Sequence, residues 1–119
     1  MSLSGVEYLR HIVDEAEFVS TSVRGRTRDD FLADEILKRA VVRGLEVIGE
    51  AAKQVPESIR GRGPLIEWRA MAGIRDRLIH AYFGVDYEIV WDVAVTKIPT
   101  LISEVRTLLD DLLRESDPD

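Results

Sequence analysis

Apolar residues recur at helical spacing along most of this chain. Val6, Leu9, Val13, Ala16 and Val19 keep one face of a 3.6-residue period. Gly25, within the polar stretch "SVRGRTRDD", ends that first helix. Asp29 or Asp30 can cap the second, in which Phe31, Ile36, Ala40, Val41, Leu45, Ile48 and Ala52 form a single stripe. Pro56 pushes Val55 out of the α region and stops it there. The segment "PESIRGRGP" reads as a loop or a single turn. A third helix is predicted from about Leu65 to Ala81, with Gly84 as its C-terminal glycine. The last starts near Asp86 and runs to about Leu113, with Val93, Leu101, Val105, Leu108 and Leu112 facing inward. Pro99 lies inside that pattern and should kink it, because its ring meets the carbonyl four residues back. No alternating strand pattern of convincing length is present. The expectation is an all-α, antiparallel up-and-down bundle of four main helices with a short extra turn. It forms one domain over residues 1–119, with an acidic, frayed tail from about 114 to 119.

Composition narrows the setting. A chain of 119 residues with 45% hydrophobic content can build one core. A domain of that size buries about two-thirds of its unfolded surface, so dimerisation is a natural way to hide more. The absence of cysteine rules out disulfides and thiolate metal sites. No run approaches the ~18 apolar residues of a membrane span, and the N-terminus lacks a signal-peptide pattern. A cytoplasmic protein with no membrane partner is expected. The opening "MSLSG" reads as too short to be structural.

The net charge of −6 argues against a broad basic surface for nucleic acid. The charge is unevenly spread, however. Between Arg60 and Arg77 five arginines (60, 62, 69, 75, 77) stand against only Glu67 and Asp76. Such a centre can hold a phosphate without coating the protein in positive charge. It can equally be a solvated face paired with acidic helices.

Two patches of small residues, "GEAA" from Gly49 and "AMAG" from Ala70, suggest helices in close contact. Glu50 is the exception within them. It faces either water or a polar pocket, where it would support a site from behind.

The chemistry concentrates in "GIRDRLIHAYFGVD", Gly73 to Asp86. On a helix continuing to Ala81, Asp76 and His80 are i and i+4, so the carboxylate can orient the imidazole. A nearby helix C-terminus would favour the imidazolium. Arg75 would lie about 140° from His80, too far to converge without its own length, a ligand or a second protein copy. A histidine tuned near neutral pH and an arginine that clamps phosphate are what metal-independent RNA cleavage requires. His11 and His80 are the only imidazoles, and no carboxylates are spaced with them in a metal-binding pattern. No cofactor or metal is implied. The plain alternative is a helix end whose charges are solvated.

Arg75-Asp-Arg-Leu-Ile-His80-Ala-Tyr82 reads R-x-x-x-x-H-x-Y. This resembles the signature of the HepT-like toxins in the HEPN superfamily of helical ribonucleases. The likeness extends to "VVRGLEVIGEAAKQVP", "WRAMAGIRDRLIHAYFGVD" and "VWDVAVTKIPTLISEV", in family-like order and spacing over nearly the whole chain. It implies a homodimer whose two motifs meet across the interface and an RNA substrate. Arg75 and His80 match the catalytic pair, and Asp76 matches the polar position after the arginine; Arg77 is taken as a supporting cation. Tyr82 matches the tyrosine to which a partner antitoxin, a minimal nucleotidyltransferase, adds AMP. The resemblance therefore implies the toxin of a type II toxin–antitoxin pair. A non-catalytic, nucleotide-binding partner of a nucleotidyltransferase and a purely structural helical dimer are the alternatives.

Overall fold

The computed structural model describes residues 4–80 and 84–116, and of Ile79, His80 and Ser116 it describes the backbone. Among the described residues the architecture is all-α apart from two short paired strands of two residues each. Helix α1 (Gly5–Val23) packs against α3 (Glu35–Gln54) and against α8 (Ile98–Ser116). The short α2 (Arg28–Ala33) precedes α3, and a single turn, α4 (Glu57–Arg60), follows it. Next come α5 (Trp68–Ala72), α6 (Ile74–Leu78), the strands β1 (Ile79–His80) and β2 (Gly84–Val85), and α7 (Tyr87–Asp92). A π-helical turn (Val93–Lys97) joins α7 to α8.

One core runs through the bundle, from Leu9, Ile12, Ala16 and Val19 on α1 to Val41, Leu45 and Ile48 on α3 and Val105 on α8. Each of these eight is at most 1% exposed. Burying the valine, leucine and isoleucine side chains among them stabilises by about 1.5–3 kcal/mol apiece, which is why the stripes decide the fold. No described helix is long and apolar enough to cross a membrane.

Four local features depart from the sequence expectation. Ser4 and Gly5 of the opening stretch are structural: Ser4 Oγ accepts the Glu7 N–H at 3.2 Å and caps α1, which starts at Gly5. The second predicted helix is two helices. Thr27, not Asp29 or Asp30, caps α2, and Asp30 closes a capping box by accepting the Thr27 N–H at 3.0 Å. Asp34 then ends α2 and caps α3 by accepting the Leu37 N–H at 2.9 Å. This restart sets the phase of α3 from Leu37 and leaves Ile36 83% exposed, out of the predicted stripe. At the other end, α8 continues to Ser116, with Glu115 ion-paired to Arg62.

Pro99 is accommodated just after the π-turn. The Ile98 N–H bonds back five residues to the Val93 carbonyl, widening the helix ahead of the proline ring. The fourth departure concerns the third predicted helix and bears on the site.

Candidate active site

Helix α5 begins where Trp68 is pinned, its indole N–H donating to the Gly63 carbonyl at 2.9 Å. The helix does not then run unbroken to Ala81. Gly73 interrupts it: its N–H bonds the Arg69 carbonyl, while its own carbonyl accepts from Asp76 at 3.1 Å and Arg77 at 3.3 Å. Helix α6 is a single short segment ending at Leu78.

Beyond Leu78 the backbone extends. Ile79 pairs with Val85 and His80 with Gly84, antiparallel. Gly84 has φ +76°, so its positive φ serves the hairpin rather than a helix C-terminus. The Leu78 carbonyl accepts the Asp86 N–H at 2.8 Å, and Asp86 caps α7 by accepting the Ile89 N–H at 3.2 Å. Once Asp86 has closed the hairpin, Leu78 has no further helical turn to join.

This corrects the helical geometry around the motif. His80 lies two residues past the end of α6, so Asp76 and His80 are not i and i+4 on one helix. The 140° separation between Arg75 and His80 likewise has no helix to apply to. Arg75, Asp76 and Arg77 are exposed on α6, while the His80 backbone lies in β1. Tyr82 lies outside the described residues.

The position of α6 is fixed from behind. Gly49 on α3 lies so close to α5 that a Cβ there would be 2.8 Å from the Met71 carbonyl oxygen and 3.0 Å from Ile74 Cγ2. The two small-residue patches therefore meet, and packing accounts for them. Glu50, next to this contact, is exposed and pairs with Lys53 at 3.3 Å. Between this wall and the α7–π-turn–α8 segment lies a groove of about 520 Å³. Its floor is largely apolar (Met71, Ile74, Leu78, Leu101), and Arg77 and Lys97 stand among its polar lining residues.

The arginines of the centre differ in their surroundings, and Arg60 is half-buried. Arg62 is taken up by Glu115, and Glu67 by Lys97 at 3.6 Å. Arg69, Arg75 and Arg77 are exposed and make no side-chain ion pair among the described residues. Arg69 and Arg77 line one shallow depression together with Trp68 and Gly73. Three guanidinium groups around the motif, without counter-ions among the described residues, are equipped to take phosphate oxygens. Among the described residues no group of three His, Asp or Glu side chains could hold a metal ion.

One charged residue near the hairpin was not legible as special. Lys38 is 9% exposed, with Nζ 4.6 Å from the centre of the Tyr87 ring. A lysine on an amphipathic helix defaults to solvent, and its ring partner belongs to a helix distant in sequence.

A family description for "Ribonuclease HepT-like" matches residues 9–108, a span that contains the whole R-x-x-x-x-H-x-Y motif. The chain belongs to the HepT-like ribonuclease family. A "putative RNase" of Caldanaerobacter subterraneus subsp. tengcongensis is 45% identical over 102 residues, covering 86% of this chain and 91% of the relative. A protein of Thermococcus cleftensis named "probable ribonuclease HepT" is 43% identical over 101 residues, 85% of this chain and 92% of its own. A further "putative RNase", from Methanocaldococcus jannaschii, is 39% identical over 110 residues, 92% and 91% of the two chains. No solved structure matches. This HepT-like chain is thus a ribonuclease by family, and its exposed α6 arginines lie within the matched span.

Proposed function

We propose that this HepT-like ribonuclease is a metal-independent RNA endonuclease, acting as the toxin of a type II toxin–antitoxin pair. The observation that carries the reading is the motif Arg75–Tyr82, with Arg75 exposed and free of any ion pair among the described residues. His80 moves the proton as the RNA 2′-hydroxyl attacks the adjacent phosphorus and the 5′-oxygen leaves. Arg75 stabilises the charge gathering on the non-bridging oxygens. Neither role needs a metal. The working unit is a two-fold dimer in which the two motifs face each other, so that arginine and histidine need not converge within one chain. RNA cleavage by the purified protein tests the reading. A non-catalytic partner of a nucleotidyltransferase would bind nucleotide and leave RNA whole.

Arg69 and Arg77 extend the phosphate path along the depression they share. Replacing either with alanine removes about one phosphate contact. The slope of log binding constant against log salt for single-stranded RNA should then flatten by ~0.7 per residue. Filter binding at four or five salt concentrations measures it. An unchanged slope in both variants places the RNA elsewhere.

Regulation follows from the last motif position. A minimal nucleotidyltransferase transfers AMP to the Tyr82 hydroxyl, adding bulk and a phosphodiester negative charge close in sequence to Arg75 and Arg77. Both oppose RNA binding. Tyr82→Phe should fold normally, keep most cleavage and resist neutralisation when co-expressed with the partner. Mass spectrometry that finds the added AMP at another residue removes Tyr82 as the switch.

A further inference from the structure

Lys38 is the one charged residue buried among the described residues, at 9% exposed. Its ammonium is satisfied from two sides. Glu35 Oε1 lies 2.7 Å away, one helical turn back on α3, and the Tyr87 ring lies beneath it at 4.6 Å. The hydrogen bond from Lys38, and after it the ammonium charge, hold the Glu35 carboxyl below its usual range. Burying a lysine is costly, and an ion pair to a largely exposed carboxylate is a modest return. The aromatic face is the more telling partner, because a cation over a ring gains most where water is excluded.

The placement of that ring gives the contact its consequence. Tyr87 is the first residue of α7, directly after Asp86. The Asp86 N–H closes onto the Leu78 carbonyl, and the two residues before Asp86 pair with Ile79 and His80. Holding Tyr87 therefore holds the strand against which His80 is registered. Two other contacts fix α7 on the same side: Arg28 with Glu88 at 2.6 Å, and Phe31 against Trp91 at 5.4 Å between ring centres. Both lie farther along the helix. Lys38 acts at its first residue, next to the hairpin.

We infer that Lys38 is a positioning residue for catalysis: its buried ammonium, seated on the Tyr87 ring, fixes the β1–β2 ladder that places His80. The inference rests on the proposed RNA cleavage for its catalytic consequence, and on geometry alone for its structural one. The two are separated by reading both. Lys38→Met keeps the aliphatic stem in place and removes the charge. It should lower kcat about tenfold, the scale of one desolvated cation–ring contact. KM for RNA should stay within about twofold, since no phosphate contact is lost. Hydrogen exchange at the Asp86 amide should accelerate by a similar factor. Lys38→Arg restores both, and Tyr87→Leu reproduces the defect from the opposite side if Lys38→Met folds poorly. Where the parent cleaves RNA, native kcat in the folded variant overturns the inference, whatever the exchange shows. Where the parent does not cleave, the proposed function fails by itself and the Asp86 exchange decides the inference: acceleration supports it, and a native rate overturns it.

Discussion

Arg75→Ala and His80→Ala should each abolish RNA cleavage while leaving the helical circular-dichroism signal unchanged. Removing a positioned acid or base costs about 10²–10⁴ in rate. Removing a donor aimed at developing oxyanion charge costs about 10²–10³. Neither substitution should disturb the fold. Arg75 is exposed and unpaired among the described residues, and at His80 the ladder is held by backbone pairing with Gly84. Asp76→Asn makes a graded comparison, because a residue that only tunes the site should lose less. Mixing the two inactive proteins then asks where the pair is assembled. Should arginine and histidine come from different chains, a heterodimer holds one intact site and partial activity returns. Should each chain supply its own pair, mixing restores nothing. Full activity in either single variant, once contaminating nuclease is excluded, removes the pair from the mechanism.

Gly49→Val should unfold the protein at a markedly lower temperature and weaken cleavage in the fraction that remains folded. In an open helix, replacing glycine would stabilise by up to about 1 kcal/mol through propensity. Here any Cβ meets the Met71 carbonyl oxygen at 2.8 Å, and a backbone oxygen cannot rotate away as a side-chain end can. The helices must separate, and overpacking of this kind costs about 1–3 kcal/mol. Two branches on a Cβ already in collision place valine at the upper end. For a domain of this length that corresponds to roughly 10 °C in Tm. The shift is transmitted to α5 and Ile74, the first residue of α6, and so to the exposed arginines. Glu50→Ala, one residue along and exposed, is the control and should stay within about ±0.5 kcal/mol. Thermal melts of the two variants decide the comparison. A Gly49→Val melt equal to that of Glu50→Ala contradicts the close approach.

Much of the fold was legible because burial imposes period. The stripes on α1 and α8 read directly from their apolar spacing, and Val55 ended α3 before Pro56 as its restricted backbone requires. The errors share a cause. Periodicity measures where apolar side chains fall, and it is blind to a break that keeps the chain roughly in phase. Asp34 splits a helix that looked continuous, and Gly73 does so again. The end of α6 at Leu78 was hidden more deeply. "LIHAY" has helical composition, and what stops the helix is a backbone bond from Asp86, a partner eight residues on that no local pattern reveals. Lys38 was missed for a related reason. Its burial depends on where Tyr87 lands, which is tertiary information. The candidate site was legible through its motif, and the identities of Arg75 and His80 owe nothing to the helix once drawn through them.

The measurement that bears most directly on the central claim uses one short RNA and its twin carrying a 2′-deoxy sugar at the cleaved position. Both are incubated with the purified, unmodified protein in excess chelator. Internal cleavage of the RNA, and none at the deoxy position, is the predicted result, because in the proposed mechanism His80 acts on the 2′-hydroxyl and no metal enters the step. Intact RNA in chelator with cleavage restored by a divalent ion, or equal cleavage of both strands, contradicts it.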